Sequence, residues 1–434
     1  LAELPDLWDL VVGTWADDSP TSRFAAENDH EPFMVGIKSV TTRPVVGVGR
    51  FTSPDTMAGL IRRGVLDMIG AARPSIADPF LPKKIEEGRY EDIRECIGCN
   101  ICVSSHFAMT NLRCTQNPTM GEEWRRGWHP EKIAPKTSDA SILVVGAGPS
   151  GLECARALGQ RGYRVTLAEG ETYLGGRVSL EGKLPGLGEW QRVRDWRVTQ
   201  LHKLANVDIY LGSSLSAADV RDFGADHVVL ATGSTWRSDG VGRAAHRPQS
   251  FSATMPLFTP DDIMRGRLPQ GDVVVYDDDH YYMGAVIAEK LALSGCRVTL
   301  VTPAADISAF TVNTLENLRT AKRLHALGIA MATHQALAGS EKDEIAFLDA
   351  RTGAAERRRS DALVLVTARL PNDALFRELA AGMADDGHCP AVSRIGDCEA
   401  PAAIFAAVYS GHRFARDFEN ATPVFRRERI DLHA

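Results

Sequence analysis

The 434-residue sequence predicts an α/β fold that combines the C-terminal strands of a (β/α)₈ barrel, a cysteine segment and two nested dinucleotide-binding units. Three observations support this prediction. Strand-like apolar runs alternate with helical stretches near the start, four cysteines crowd into residues 96–114, and a glycine-rich turn follows an apolar run at 141–145. We divide the chain into a barrel part (1–94), a cysteine segment (95–135), a nucleotide unit (136–240 with 381–434) and an insert (241–380).

The barrel part contains three strand-like apolar runs, at residues 6–13, 43–51 and 66–74, separated by helical stretches. Strands joined through helices form parallel sheets. Because the smallest packed barrels need about eight strands, we interpret these three as strands 6 to 8 of a (β/α)₈ barrel. The first five strands would then lie outside this chain, which we expect to be a fragment of a longer protein and inactive alone.

The last two of these strands end in residues that are suited to a phosphate. Glycines let backbone N–H groups approach the phosphate oxygens, and an arginine can bind them through two hydrogen bonds. The loops after strands 7 and 8 of a (β/α)₈ barrel are a common phosphate site. We therefore predict a flavin phosphate here, with ordinary tight turns as the alternative. The residues concerned are Gly49 and Arg50 in one loop and Gly70, Ala71 and Arg73 in the other.

The cysteine segment predicts an iron–sulfur cluster. Three closely spaced cysteines, Cys96, Cys99 and Cys102, are followed by a fourth at Cys114. Short Cys-x-x-Cys turns direct successive thiolates at a common centre, as a [4Fe–4S] cluster requires. A four-thiolate zinc site is the main alternative, but zinc sites usually arise from two separate Cys-x-x-Cys pairs. A cluster would imply one-electron chemistry.

The nucleotide unit begins with the sequence order of a dinucleotide-binding fold. An apolar strand at 141–145 precedes a G-x-G-x-x-G turn, a helix at 152–161 and a second strand at 163–168. Glu169 ends that second strand, where an acidic residue bonds the ribose 2′-OH. The turn glycines are Gly146, Gly148 and Gly151. This order predicts a site for an ADP moiety, either ADP itself or part of FAD.

Later motifs place the insert inside the nucleotide unit. Gly176 and Arg177 follow the acidic residue, the run 228–233 resembles a strand entering a tight turn, and Asp397 continues the pattern far downstream. His412, on the predicted final helix, could approach the nucleotide or serve in packing.

The insert starts like a pyridine-nucleotide domain but has an unsuitable turn. A strand at 272–276 and a helix at 283–294 are joined by a turn with three consecutive aspartates and no early glycine. Carboxylates would repel a pyrophosphate at the helix start. We therefore expect a scaffold unit without an NAD(P)H site.

Residues 72–79, 96–132 and 184–190 resemble trimethylamine dehydrogenase and its dimethylamine, histamine and dimethylglycine-type relatives. The resemblance covers nearly the whole chain. It implies an FMN barrel, a [4Fe–4S] cluster, an ADP-binding domain and a pseudo-NAD domain. The implied reaction is oxidation of a secondary or tertiary amine by hydride transfer to FMN, with electrons passed through the cluster to an electron-transferring flavoprotein. A homodimer is also expected.

The resemblance also assigns residues. It matches the four cysteines to the cluster ligands, the two glycine and arginine loops to the FMN phosphate, and the glycine turn with Glu169 to the ADP site. Trp15 and Asp18 are the nearest equivalents of a tryptophan and an aspartate that lie near the substrate. His106 or Phe107 occupies the place of an aromatic residue that would help cage an alkylammonium. A histidine there suits a substrate with an acceptor or a carboxylate, such as an N-methylated amino acid, or has a structural role.

Two other functions remain open from the sequence. An NADPH-dependent enoate or dienoyl-CoA reductase would share the barrel, the cluster and the nucleotide unit, although the aspartate turn and the cysteine spacing argue against it. The chain could also be a non-catalytic electron-transfer subunit, in which another chain supplies the FMN barrel.

Composition excludes some classes of partner. A formal charge of −7 and the lack of a long basic run give no support for nucleic-acid binding. No apolar stretch has membrane-spanning length. Of the eight cysteines, the four outside the cluster spacing are scattered, which favours a reducing cytoplasm over a disulfide scaffold.

Overall fold

The structure, a computed structural model, describes residues 1–382 and 390–420. Three parallel β-sheets, in the barrel part, the nucleotide unit and the insert, confirm the predicted α/β class. The part of the nucleotide unit at 383–389 and 421–434 lies outside the described residues. Within the described ranges, no helix combines the length and apolar character needed to cross a membrane.

The barrel part holds three short parallel strands in chain order, as predicted. They are β1 (Trp8–Leu10), β2 (Val45–Gly47) and β3 (Met68–Ile69). Its helices are α1 (Trp15–Asp18), α2 (Glu31–Met34), α3 (Pro54–Arg62), α4 (Ala72–Ala77) and α5 (Leu81–Glu86). Met34, Val45 and Leu60 are among the buried side chains of its core.

All three predicted strands are longer than the observed ones, and the third differs most. The third strand was expected to run through residue 74, but β3 ends at Ile69 and α4 begins at Ala72. Pro74 lies in the first turn of α4, where the N–H that proline lacks has no intrahelical partner in any case. The apolar run that ends at Pro74 therefore resembles a single strand, although it includes the start of α4.

The cysteine segment has little regular structure. It contains α6 (Ile101–Phe107) and α7 (Glu123–Arg126). Asn100 precedes α6 with a φ of 55°, a left-handed conformation that asparagine adopts more readily than most residues. This turn leads the chain from Cys99 into α6, which carries Cys102.

The nucleotide unit starts with alternating strands and helices. They are β4 (Ser141–Val145), α8 (Pro149–Arg161), β5 (Arg164–Ala168), α9 (Arg177–Glu181), α10 (Arg192–His202), β6 (Val207–Tyr210), α11 (Ala217–Phe223) and β7 (His227–Leu230). Helix α8 begins three residues before the predicted start, because Pro149 has the fixed φ of a first helical residue.

The chain enters and leaves the insert through a pair of antiparallel strands, β8 (Ser234–Trp236) and a later strand that pairs with it. The insert then contains β9 (Leu257–Phe258), α12 (Pro260–Met264), β10 (Asp272–Asp277), α13 (Tyr282–Leu293), β11 (Arg297–Val301), α14 (Asn317–Ala326), β12 (Ala330–Ala332), β13 (Gln335–Glu341), β14 (Glu344–Asp349), β15 (Ala355–Arg359) and β16 (Ala362–Val366). Its parallel sheet has the order β12-β11-β10-β16-β9, and β13 to β15 form a separate antiparallel sheet.

The chain returns to the nucleotide unit through β17 (Arg369–Pro371), which pairs with β8, and continues as α15 (Ala374–Gly382), β18 (Ala391–Arg394) and α16 (Ile404–Asp417). The parallel sheet of the unit has the order β18-β7-β4-β5-β6. Leu379 of α15 packs with Leu143 and Leu230 in the core of this unit.

A buried ionic network joins the helices around this sheet. Glu153 of α8 is fully buried, and its carboxylate accepts hydrogen bonds from Arg156, from Arg197 of α10 at 2.9 Å and from His412 of α16 at 2.8 Å. The other ring nitrogen of His412, Nε2, accepts from Arg416 Nε at 2.9 Å. The sequence left two roles open for His412, contact with the nucleotide or packing, and these contacts assign it to packing. It is held in the neutral state with its proton on Nδ1.

We predict that His412 makes the stability depend on pH. Burial lowers the pKa of His412 from 6.5 to about 4. The unfolded chain therefore binds the proton first as the pH falls below 6.5, and folded stability is lost progressively down to about pH 4. The melting temperature of His412→Gln should fall less between pH 6.5 and 4 than that of the wild type.

The comparison with the variant isolates this contribution. Burial raises the pKa of Asp277 to about 7, so Asp277 acts in the opposite sense over much of the same pH window. Parallel melting curves for wild type and His412→Gln would show that His412 does not contribute.

Candidate functional site

A cavity of about 1570 Å³ lies between the nucleotide unit and the insert. It exceeds the roughly 1,000 Å³ at the upper end of usual small-ligand pockets. The structure brings most of the predicted nucleotide residues to its walls, together with residues of the insert turn and of α6. These predicted residues are Gly146, Gly148, Glu169, Gly176, Arg177 and Asp397.

The three turn glycines are required for different reasons. Gly146 has a φ of 101°, and a Cβ there would lie 2.5 Å from the Ala231 carbonyl oxygen. A Cβ on Gly151 would lie 1.9 Å from the Gly146 carbonyl oxygen, so this glycine lets α8 pack against the turn. A Cβ on Gly148 would meet no atom within 4 Å. Gly148 instead leaves open space at the cavity wall, where a pyrophosphate can approach the backbone.

Glu169 fixes the edge of the cavity at the end of β5. Its carboxylate accepts hydrogen bonds from the Ala147 N–H at 2.7 Å and the Glu171 N–H at 2.9 Å. The side chain is 8 % exposed and lines the cavity. Carboxylate oxygens have further lone pairs, so Glu169 can also accept from a ribose hydroxyl.

Arg177 and Asp397 also line the cavity and are held by ion pairs and hydrogen bonds. Arg177 pairs with Asp261 at 2.6 Å and donates to the Ser234 carbonyl. Asp397 accepts from the Ser234 hydroxyl at 2.8 Å and pairs with Arg369 at 2.5 Å. These contacts fix the crossing strands of the insert against the cavity.

The insert turn is filled by its own carboxylate. Asp277 is fully buried and accepts hydrogen bonds from the Asp279 N–H at 3.2 Å and the His280 N–H at 3.0 Å. A Cβ on Gly284 would lie 2.4 Å from Asp277 Cγ, so the aspartate also packs against the start of α13. Backbone N–H groups that would hold a phosphate in a nucleotide turn therefore hold a side chain.

The four predicted ligand cysteines converge on a second, small cavity. Cys96 is buried and the other three are partly buried. Burial raises the pKa of Cys99 to about 12 and of Cys114 to about 11, and it raises the pKa of Cys102 as well. Thiols so placed ionise only when a cationic group compensates the charge. Across residues 1–382 and 390–420, no group of three or more His, Cys, Asp or Glu side chains is arranged for a single metal ion.

Arg73, predicted at the flavin phosphate, lines this cysteine cavity. Its guanidinium donates to the Pro20 carbonyl at 2.9 Å and to Asn100 Oδ1 at 2.8 Å. Arg50 is also buried, has a φ of 54° and donates to the Ala25 carbonyl at 2.9 Å. Both arginines therefore lie between the barrel loops and the cysteines.

The predicted glycines of these loops are closely packed. A Cβ on Gly49 would lie 3.0 Å from the Phe51 ring, and one on Gly70 would lie 2.7 Å from Val48 Cγ1. The Gly70 N–H donates within the sheet to the Gly47 carbonyl at 2.8 Å. Ala71 caps the start of α4.

Two of the three predicted substrate residues lie together. Trp15 makes ring contacts with His106 and with Phe107, each with centroids 5.2 Å apart. Asp18 instead accepts a hydrogen bond from the Val12 N–H at 2.8 Å, which shapes the loop that carries Trp15. His106 and Phe107 end the same helix, α6, that holds Cys102.

Several residues of the site were not found from the sequence. Tyr281 and Tyr282 line the large cavity, and the Tyr282 hydroxyl donates to the buried Glu181 at 2.6 Å. Asn100 Nδ2 donates to the carbonyls of Ser19 at 2.7 Å and Thr314 at 3.0 Å. The position of Asn100 between two of the predicted ligand cysteines was the available signal, since asparagine tolerates the left-handed turn there.

Comparison with known families finds matches for three parts of the chain. Residues 1–92 match the NADH:flavin oxidoreductase / NADH oxidase family. Residues 140–262 match pyridine nucleotide-disulphide oxidoreductases, and residues 258–361 match the OYE-like second alpha/beta domain.

Among individual proteins, the dimethylamine dehydrogenase of Hyphomicrobium sp. (strain x) is 41 % identical over 96 % of this chain and 61 % of its own length. The structure of histamine dehydrogenase from Rhizobium sp. 4-9 has a TM-score of 0.96 and 50 % identity, and the match covers 100 % of this chain and 64 % of that one. The structure of 6-hydroxypseudooxynicotine amine oxidase from Pseudomonas geniculata N1 has a TM-score of 0.94 and 49 % identity, over 96 % of this chain and 63 % of that one. The chain therefore spans less than two thirds of each of these proteins.

We predict effects of very different size for two alanine substitutions in the glycine turn. Gly151→Ala should destabilise the nucleotide unit by roughly 3 kcal/mol or more, because its Cβ cannot fit beside the Gly146 carbonyl. Gly148→Ala should change stability by no more than about 0.5 kcal/mol, since its Cβ meets open space and its φ is −70°. Thermal unfolding followed by circular dichroism measures both, and equal losses of stability would contradict the assigned roles.

Proposed function

We propose that the chain forms part of an enzyme that oxidises a secondary or tertiary amine to an iminium by hydride transfer to FMN. The chain belongs to the trimethylamine dehydrogenase-like family of flavoprotein oxidoreductases. The main support is the position of α6. One end of this helix carries Cys102, and the other carries His106 and Phe107, which contact Trp15. The candidate amine site and the cysteine cavity are therefore built on one rigid element.

The residues around the cysteine cavity fit a [4Fe–4S] cluster. Four thiols share one cavity, burial raises the pKa of Cys99, Cys102 and Cys114, and the cationic Arg73 lies at the cavity wall. When bound, FMN supplies a hydride acceptor and the cluster supplies one-electron transfer. The cysteines would hold the cluster, and Arg73 would partly offset its negative charge. We further propose an electron-transferring flavoprotein as the acceptor.

The aromatic residues support a cationic substrate. The faces of Trp15 and Phe107 attract an alkylammonium through cation–π interactions, and their exposed fractions of 45 % and 44 % leave ring surface available. His106 adds a group that can donate to a carboxylate or accept from an N–H. This combination favours an N-methylated amine that carries a polar group, such as an N-methylated amino acid.

The large cavity supports an ADP moiety. The open space at Gly148 and the carboxylate of Glu169 provide places for a pyrophosphate and a ribose. The cavity also extends to Ser104 and Ser105 of α6, which leaves room beyond an ADP moiety, so FAD is the alternative ligand.

The insert turn argues against the reductase alternative. Asp277 occupies the backbone N–H groups that a nicotinamide dinucleotide would need for its pyrophosphate. NADPH would therefore lack backbone N–H contacts for its pyrophosphate at this turn.

We predict that iron is lost when a cluster ligand is removed. Cys99→Ser should reduce iron and acid-labile sulfide from about four of each per chain to near zero, because a serine hydroxyl is a poor ligand for iron. Cys296→Ser is the matched control, since Cys296 lies in the insert and its thiol donates only to the Pro269 carbonyl. Zinc without sulfide in the purified protein would contradict the assignment.

Anaerobic titration tests the reaction itself. In the full-length protein we expect dimethylglycine or another N-methylated amine to bleach the flavin absorption and NADPH to leave it unchanged. The optical spectrum, recorded after each addition, is the measurement. Bleaching by NADPH with amines inert would overturn both the amine reaction and our interpretation of Asp277.

A further inference from the structure

The loop between β1 and β2 makes a set of polar contacts with the insert. This loop carries Trp15 and Asp18. The Thr21 hydroxyl donates to Glu316 at 2.9 Å, Arg23 pairs with Glu289 at 3.0 Å, and Arg319 donates to the Ala16 carbonyl at 3.3 Å. Residues almost 300 positions apart in sequence thus hold one loop against the helices α13 and α14.

The pair of Arg23 and Glu289 is buried. Their side chains are 2 % and 6 % exposed, and the second oxygen of Glu289 accepts from Arg323 at 2.8 Å. Arg23 passes Gly186, where a Cβ would lie 2.6 Å from Arg23 Cγ and the φ of 74° also favours glycine. Gly186 belongs to the 184–190 motif. Because glycine has no side chain, this motif leaves space for Arg23 to reach the insert.

Glu316 makes a second buried connection. Both of its oxygens accept from hydroxyl groups, one from Thr21 and the other from Thr314 at 2.7 Å. The Thr314 carbonyl in turn accepts from Asn100, the residue between two ligand cysteines. The loop, the insert and the cysteine segment therefore meet within one hydrogen-bonded group.

We propose that the insert positions the loop 14–23 for amine binding, with Glu289 and Glu316 as positioning residues. This inference rests on the proposed amine oxidation. The nucleotide turn of the insert is filled by Asp277, and the insert makes buried and directional contacts to this loop. Buried hydrogen-bonded groups specify one geometry because any displacement leaves them without partners. Trp15 is half exposed, so its position depends on the backbone of this loop together with its ring contacts to His106 and Phe107.

The Thr21 and Glu316 contact can be tested in the full-length protein. Glu316→Ala removes the acceptor on the insert, and Thr21→Val removes only the donor on the loop. Glu316→Gln keeps an amide oxygen that can accept from Thr21. Glu341→Gln is the control, because Glu341 lies in the same insert, is 72 % exposed and pairs only at the surface.

Two measurements are made on each variant. Hydrogen exchange followed by mass spectrometry should show about tenfold faster exchange at residues 14–20 in Glu316→Ala and Thr21→Val. The KM for the amine should rise about tenfold with kcat changed less than about threefold, since a displaced loop weakens binding before it alters hydride transfer. The effects in the double variant should not add, and Glu316→Gln should restore most of both values.

The outcomes separate this inference from the proposed function. Unchanged KM in both Glu316→Ala and Thr21→Val, with an amine still oxidised, overturns the positioning role and leaves amine oxidation intact. Unchanged exchange at residues 14–20 likewise overturns it. Faster exchange at these residues in a protein that oxidises no amine supports the contact of the insert with the loop and overturns the proposed function. If Glu316→Ala does not fold, Thr21→Val decides alone, because a valine fills nearly the same volume.

Discussion

The fully buried carboxylate of Glu153 is the interaction on which the arrangement of the units depends. It lies on α8, directly behind the glycine turn, and it accepts from Arg197 of α10 and His412 of α16. Arg197 also donates to the side chain and the carbonyl of Gln116, at 3.0 Å each, only two residues beyond Cys114. Removing one member of a buried ion pair costs about 3–5 kcal/mol, because the other charge stays buried without a partner. The nucleotide turn and the cysteine cavity are therefore fixed to each other through a single acid.

The two nested α/β units contain the same strand, turn and helix, but the two turns differ in what they can bind. In each, a buried strand leads through a turn to a helix, at 145–149 in the nucleotide unit and at 277–282 in the insert. The first turn leaves space beside Gly148, and the second contains the carboxylate of Asp277. One unit can therefore receive a nucleotide, whereas the other has its N–H groups already bonded. The insert retains the fold and contributes contacts to the barrel loop through Glu289 and Glu316.

Local patterns were sufficient to predict much of the fold. The glycine turn, the strands beside it and the clustering of four cysteines follow from spacing and from the steric demands of short segments, and the structure confirms the parallel sheets and their α/β connections. The pairing of Arg23 with Glu289 could not be predicted, because the two residues are 266 positions apart and neither lies in a motif of its own. The end of β3 was missed because the apolar residues of α4 continue the pattern of the strand. The neutral state of His412 depends on three helices that only the tertiary structure brings together.

The carboxylate of Asp277 also limits how the insert turn can be altered by substitution. Replacing Asp277 by glycine alone would free the N–H groups of Asp279 and His280 but would leave a void against Gly284, with Asp278 still buried nearby. Restoring a dinucleotide turn would require several substitutions together, and each single step would leave buried polar groups unbonded. Asp277 therefore makes this turn resistant to conversion by single substitutions, because each route to a nucleotide site passes through a less stable protein.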